Sequence, residues 1–183
     1  MGTLRAAAAT AEFLVHDLPA AAGKLQEGPL RASVLMLEAE QRLCVVSCDT
    51  LGLMGDTCDR IAATIHAACG VARDQITVTA THTHHAPRAM PVYTTPRNDV
   101  LCARITAAAC SAAATAATEL DAASASGDPC RCEVSFALGQ ELTVGANSRW
   151  FMDDGQISWS QHDESKMVRP SGPPDPAMPV IAF

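Results

Sequence analysis

Residues 75–84 read QITVTATHTH, and this stretch alternates between two kinds of side chain. Every odd position from 77 to 83 is a threonine, while the even positions carry apolar residues and then histidines: Ile76, Val78, Ala80, His82 and His84. Period-two alternation with β-branched residues predicts a β-strand whose two faces differ. We therefore predict a strand over residues 75–84 that presents His82 and His84 on one face.

A second strand and a helix precede this stretch. Residues 42–49, RLCVVSCD, form a nearly continuous apolar run, which predicts a strand buried on both faces near the centre of a sheet. Asp56 or Thr57 is suited to cap a helix that runs to about Cys69, and Gly70 supplies the left-handed residue that ends it. The order strand, helix, strand predicts a right-handed parallel βαβ unit.

The flanking sequence completes a mixed sheet. Residues 31–38, RASVLMLE, are joined to the central strand by a polar turn, which predicts a β-hairpin. Asn98 follows a loop with three prolines and is suited to cap a long second helix that ends near Ala123. Strands are predicted at residues 130–138 and 180–183, with irregular chain between them. The predicted fold class is α/β, with a mixed sheet and an irregular C-terminal segment, in a single domain over residues 1–183.

Composition argues against several classes of protein. A net charge of −7 with only 13 Lys and Arg lacks the positive field that binds phosphates, so we expect no nucleic-acid partner. No uninterrupted apolar run reaches the roughly 18 residues of a transmembrane span. Glu12 and Asp17 interrupt the N-terminal apolar residues, which makes a poor secretory signal. We therefore predict a cytoplasmic location.

Eight cysteines raise the question of disulfides or zinc. Six of them fall in apolar helix or strand patterns, and Cys130 and Cys132 have no second pair at zinc-finger spacing. Buried thiols in a reducing compartment are the favoured interpretation.

His82 and His84 are the candidate functional residues. The C-terminal end of a parallel strand is where open α/β folds bind their ligands. Burying two imidazoles on an apolar face without partners would cost roughly 1–3 kcal/mol each. A divalent metal such as zinc would satisfy both rings, and so would backbone carbonyls, threonine hydroxyls or water. The residues alone leave both interpretations open.

A catalytic zinc needs about three protein ligands and an open position for water. His85, beyond the predicted face, is expected to meet solvent. None of the remaining candidates has diagnostic spacing: His16, His66, His162, Asp49, Asp56 and Asp59.

Five segments resemble, in the same order, the N-terminal part of the neutral/alkaline non-lysosomal ceramidase family. They are GPLRA (28–32) leading into VLMLE (34–38), VVSCDTLG (45–52), ATHTHHAP (80–87), GANSR (145–149) and DPAMPVIAF (175–183). The resemblance implies a zinc-dependent amidohydrolase that cleaves the N-acyl amide bond of ceramide-like lipids. It assigns zinc binding to His82 and places His84 in the active site, near the reacting centre. Members of this family are often secreted or periplasmic.

The chain also departs from the family pattern. His85-Ala86-Pro87 stands where the family commonly has Ser-Gly-Pro. At Asn147-Ser148-Arg149 the family's substrate-contacting arginine is replaced by Ser148, or its catalytic role has moved to Arg149. The family's second zinc histidine, its later Glu and Tyr ligands and its catalytic Ser lie beyond Phe183.

Two alternatives to the hydrolase remain open, the first of them suggested by the short apolar strand predicted at residues 180–183, whose exposed edge invites pairing. One is a non-catalytic, truncated or degenerate ceramidase-like domain that binds metal weakly and associates with a partner chain, as a homo-oligomer through an uncovered sheet edge. The other is an alanine-rich α/β domain whose histidines are structural.

Overall fold

A computed structural model describes residues 3–18, 28–123, 129–159 and 163–183. The chain divides into two compact units, Met1–Cys132 and Glu133–Phe183. The single domain predicted over residues 1–183 stays a prediction.

The N-terminal unit is built on a four-stranded mixed sheet. Its strands, in spatial order, are β1 (Arg5–Phe13), β2 (Leu30–Glu38), β3 (Arg42–Cys48) and β4 (Ile76–Ala80). The first three strands pair antiparallel, and β4 pairs parallel to β3. Helix α1 (Gly55–Cys69) connects β3 to β4, and α2 (Asp99–Ala123) follows β4. The predicted α/β class, hairpin, parallel βαβ unit and long second helix are confirmed.

Strand β1 is absent from the sequence-based prediction. Its alanine-rich segment pairs with β2 over nine residues, from Arg5 opposite Glu38 to Phe13 opposite Leu30. An ion pair between Arg5 and Glu38 anchors one end of this pairing. Pairing and packing against α2 hold the segment in a strand, although alanine has little preference for strands.

The core lies on one side of the sheet. Along β3 the side chains of Cys44, Val46 and Cys48 are buried, while Leu43 and Val45 are 42% and 38% exposed. The prediction that β3 is buried on both faces was therefore wrong, because its side chains alternate between core and solvent.

Helix α2 supplies much of the core. Leu101, Ile105 and Leu120 are fully buried together with a row of alanines, whose small side chains let the helix lie close to its neighbours. Asn98 Oδ1 accepts the Leu101 backbone N–H at 3.0 Å, so the predicted cap is confirmed. By length and composition α2 could cross a membrane, but 56% of its most apolar window is buried inside the protein, as in the core helix of a globular fold.

Helix α1 begins earlier than predicted. Its N-cap is Met54, which makes no side-chain cap hydrogen bond, so the predicted caps Asp56 and Thr57 lie inside the first turn. The predicted C-terminal residue is confirmed, because Gly70 has φ 70° and donates its N–H to the His66 carbonyl at 2.9 Å.

All eight cysteines are free thiols. Burial raises the pKa of Cys44 to about 11 and that of Cys48 to about 12, because the thiolate would lose its hydration. These two thiols are therefore protonated and unreactive at neutral pH.

The C-terminal unit contains two small sheets. Strand β5 (Ser135–Gln140) pairs antiparallel with β9 (Ala177–Ala182). Strands β6 (Trp150–Met152), β7 (Ile157–Ser158) and β8 (Met167–Pro170) form the second sheet, in the order β7-β6-β8. The three strands of this second sheet were not predicted, and β5 and β9 are displaced by several residues from the predicted bounds.

A carboxylate organises the turn that follows β5. Glu141 accepts the backbone N–H groups of Thr143, Val144 and Gly145, together with the Thr143 hydroxyl. These bonds, led by that of the Thr143 hydroxyl, lower the pKa of Glu141 from 4.5 to about 2.

We predict that Glu141→Gln destabilises the protein at neutral pH and that the difference disappears in acid. The folded-state pKa lies below the unfolded one, so the carboxylate's contribution is present above pH 4.5 and is lost as the pH falls towards about 2. Melting temperatures of both proteins across this range measure the effect. A difference that stays constant down to the acid limit would contradict it.

We also predict that Ile105→Ala lowers the free energy of unfolding by about 2–5 kcal/mol, because it leaves a cavity beneath α2. Val100 is on the same helix but 54% exposed, so Val100→Ala should change stability by less than about 0.5 kcal/mol. Urea denaturation compares the two variants. Equal losses would show that α2 does not pack as described.

Candidate metal site at the end of the fourth strand

The candidate site begins where β4 ends. The strand stops at Ala80, and the Thr81 backbone N–H still donates to the Cys48 carbonyl of β3 at 3.0 Å. His82 then adopts φ 62°, in the left-handed region, so the chain turns away from the sheet. The predicted strand therefore ends four residues early, and His82 and His84 lie in the loop after it.

The His82 ring is held by a backbone group at the end of the neighbouring strand. Its Nδ1 lies 2.7 Å from the carbonyl oxygen of Leu51, in the segment after β3. A carbonyl only accepts hydrogen bonds, so Nδ1 carries the proton and Nε2 of the neutral ring keeps its lone pair. Metal-binding histidines are oriented in this way, by donating their other ring N–H to a carbonyl or carboxylate.

The structure brings His84 beside His82. The centroids of the two rings are 5.0 Å apart, and their planes meet at 82° in an edge-to-face arrangement. No hydrogen bond to His82 Nε2 or to the His84 ring is found in the part of the chain that the structure describes. Two imidazoles with accessible nitrogens therefore stand next to each other.

Both rings are exposed to solvent, as is His85. The sequence argument that burial obliges these histidines to find a metal was therefore wrong, because water can satisfy them. The alternative that backbone carbonyls bind these histidine rings is confirmed for one ring nitrogen only, His82 Nδ1. The two histidines are therefore a pair of solvent-exposed potential metal ligands, not a buried pair.

Two loops meet beside this pair through a close contact. A Cβ on Gly52 would lie 2.5 Å from Met90 Sδ, so any larger residue at position 52 would require the Met90 side chain to shift. Gly52 adjoins Leu51, whose carbonyl holds His82, and Met90 belongs to the loop after β4. Pro87 and Ala89 of the same loop are buried, and the Cys102 thiol donates to the Ala89 carbonyl.

Four of the other proposed metal ligands, Asp56, Asp49, His66 and Asp59, have partners elsewhere. Arg97 donates to both Asp56 oxygens at 2.8 and 2.6 Å and holds the pKa of that carboxyl below its usual range. Asp49 accepts the Arg31 backbone N–H at 2.9 Å, and His66 Nδ1 bonds the Val71 carbonyl at 2.8 Å. Asp59 faces Arg73 at 3.9 Å, His16 is exposed in the segment after β1, and His162 lies outside the described residues.

Among the residues described, no group of three or more His, Cys, Asp or Glu side chains could hold a metal ion. The donor set at His82 and His84 fits zinc in ligand type, because zinc accepts imidazole nitrogen. It provides two of the roughly three protein ligands that a catalytic zinc requires.

Arg149 lies in the C-terminal unit. Its backbone N–H donates to Asn147 Oδ1 at 3.0 Å, and its guanidinium carbon stands 3.9 Å from the centroid of the Trp159 ring. Asn147 Nδ2 in turn donates to the Gly172 carbonyl at 2.8 Å. Arg149 is thus held as a cation on an aromatic ring within its own unit, and its catalytic role stays a prediction.

Comparison with known structures finds a similar fold in a solved structure described as a ceramidase complexed with C2. The TM-score is 0.52 at 15% sequence identity, and the similarity covers 81% of this chain and 25% of the ceramidase chain. This chain therefore spans about a quarter of the ceramidase's length. The likeness shows a ceramidase-like fold. No protein family and no curated protein matches the chain.

We predict that neutral His82 carries its proton on Nδ1. His66, whose Nδ1 also faces a carbonyl at 2.8 Å, provides an internal reference for this tautomer. Long-range nitrogen–proton NMR correlations distinguish the two tautomers at a pH where the rings are neutral. An Nε2-protonated His82 beside an Nδ1-protonated His66 would contradict the described hydrogen bond.

Proposed function

We propose that this chain carries part of a zinc-dependent amidohydrolase site of the neutral ceramidase type, acting on the N-acyl amide bond of ceramide-like lipids. The observation that carries the proposal is the His82–His84 pair at the end of a parallel strand, with the His82 Nδ1 proton committed to the Leu51 carbonyl. The ceramidase-like fold and the five ordered sequence segments support it.

His82 would hold zinc through Nε2. Its ring is oriented before any metal arrives, because the bond to Leu51 fixes both its rotation and its tautomer. Zinc, when bound, supplies Lewis acidity that polarises a carbonyl and lowers the pKa of water.

His84 would move protons at the reacting amide. An imidazole exchanges protons near neutral pH, and this one stands beside the proposed ligand with its ring exposed. Hydrolysis adds water to the carbonyl carbon and breaks the C–N bond. One water proton goes to the leaving nitrogen, so that a fatty acid and a free amine are formed. Proton delivery to that nitrogen is the step we assign to His84.

Arg149 would contact the substrate, in the place that the family gives to an arginine of the same segment. A guanidinium donates in-plane hydrogen bonds to oxygen acceptors, and the hydroxyl and carbonyl oxygens of a ceramide-like lipid are such acceptors. This assignment rests on the resemblance of residues 145–149, and Ser148 remains the alternative occupant of the position.

One observation favours a second candidate function. Because the described residues offer two imidazoles and no third ligand, the chain would bind zinc weakly and would be poorly equipped for turnover. A non-catalytic ceramidase-like domain that associates with a partner chain is the function consistent with that ligand set. Zinc stoichiometry and hydrolysis of an N-acyl sphingoid base separate the two candidates.

We predict that His82→Ala lowers the affinity of the protein for zinc by at least about 10-fold, since it removes an oriented ligand. His85→Ala is the matched control: this histidine is also exposed, but its described contact is a backbone N–H donated to Thr83 Oγ1. Competition with a zinc-binding dye measures the zinc affinity of the wild type and of both variants.

Equal zinc affinities of His82→Ala and His85→Ala would show that His82 is not a zinc ligand. Zinc bound through His82 without release of fatty acid from an N-acyl sphingoid base would support the non-catalytic candidate. Release of fatty acid that depends on both His82 and His84 would support the hydrolase.

A further inference from the structure

Strands β5 and β9 form a two-stranded ribbon with exposed apolar side chains. Phe136, Leu138 and Ile181 are 66%, 67% and 58% exposed. Phe136 lies opposite Ile181 in the register, so the two share a face, and Leu138 joins them two residues along β5. Two paired strands without a further layer are marginally stable in water. Pairing with a further strand would stabilise such a ribbon.

The hydrogen-bond pattern between β5 and β9 shows which backbone N–H and C=O groups of β5 are available to pair with a third strand. The Glu141 N–H donates to the Pro176 carbonyl at 2.8 Å, in the same register as the ribbon. Hydrogen-bonded and non-hydrogen-bonded pairs alternate in an antiparallel ladder. Residues 135, 137 and 139 therefore face β9, while Phe136, Leu138 and Gln140 direct their N–H and C=O groups away from it.

The outer edge of β9 is different. By the same alternation, Ala177, Pro179 and Ile181 direct their backbone groups away from β5. Pro179 has no N–H, so this edge lacks a donor at its centre, as is typical of protected edge strands. The open edge of β5 has its full set of donors and acceptors, and no other described strand pairs with it.

We propose that two copies of this chain associate by antiparallel pairing of their β5 edges. A two-fold axis through Leu138 sets Leu138 opposite its own copy and Phe136 opposite Gln140. Each outward N–H and C=O of these three residues then finds a partner. The result is a four-stranded sheet with the order β9-β5-β5-β9.

The charge of β5 suits pairing with itself. The strand, SFALGQ, contains no charged residue although the whole chain carries a net charge of −7. A two-fold axis sets identical strands side by side, so a charged edge would place like charges close together, whereas this edge does not. The apolar side chains of Phe136 and Leu138 from both copies then lie on one continuous face.

Pro179 limits the assembly to two copies. After pairing, the edges that remain are those of β9, and neither can donate at its central position. The contact is isologous and closed, in contrast to the open-ended pairing that builds fibres. A single edge of six residues buries less than the roughly 800 Å² per partner of a standard stable interface, so the dimer is expected to be weak.

Sedimentation velocity of the full chain between about 1 and 200 µM spans the micromolar affinities expected of such an interface. We expect a monomer at the low end and a dimer at the high end. Leu138→Pro removes the outward N–H without touching the ladder to β9, and should abolish the dimer. Leu138→Ala truncates the same side chain but keeps the N–H, and should retain a dimer.

A wild-type protein that stays monomeric throughout, or that forms larger species without limit, would overturn the proposal. So would equal dimerisation of Leu138→Pro and Leu138→Ala. If the proline variant does not fold, amide hydrogen exchange of the wild type tests the same pairing. The amides of Phe136, Leu138 and Gln140 should gain protection as the protein concentration rises, and unchanged protection would contradict the pairing.

Discussion

The hydrogen bond from His82 to the Leu51 carbonyl joins the segments that follow two neighbouring parallel strands. It exists because β4 pairs parallel to β3, so that both segments leave the sheet at the same edge. The bond also accompanies an unfavourable backbone, since φ 62° at a non-glycine residue costs on the order of 1–3 kcal/mol. A hydrogen bond recovers about 0.5–1.5 kcal/mol of that. His82 is thus held in one orientation by the sheet beneath it, and the proposed chemistry depends on that orientation.

The regular part of the fold could be predicted from side-chain periodicity. Strands β2 and β3, helix α1 and helix α2 carry clear apolar patterns, and their positions agree with the prediction to within a few residues. Strand β1 escaped because alanines carry no periodic signal, and its conformation comes from pairing with β2. The alternation of threonine and histidine at residues 81–84 wrongly predicted that β4 continues to residue 84, because the same alternation can occur in a loop. In the C-terminal unit, strands of two to four residues are too short for any pattern to be distinguished.

The sequence predicted the candidate site from a supposed cost of burying its histidines, and the structure contradicts that reason. The histidines are exposed, so no cost of burial calls for a metal. The orientation of His82 depends instead on a main-chain carbonyl at Leu51, and the ring of His84 lies against that of His82. A carbonyl occurs at every residue, so no sequence pattern could single this one out. Arg149 belongs to a separate compact unit, where it lies on Trp159, and its part in the chemistry is carried by the family resemblance alone.

The central claim is that the hydrogen bond to Leu51 presents His82 Nε2, beside His84, as a ligand for zinc. A crystal of the protein soaked with zinc, measured on both sides of the zinc absorption edge, tests this claim directly. The account predicts an anomalous peak about 2.0–2.1 Å from His82 Nε2, with the bond from Nδ1 to Leu51 retained. Zinc bound elsewhere, or bound at His82 through Nδ1 with the Leu51 contact broken, would contradict it.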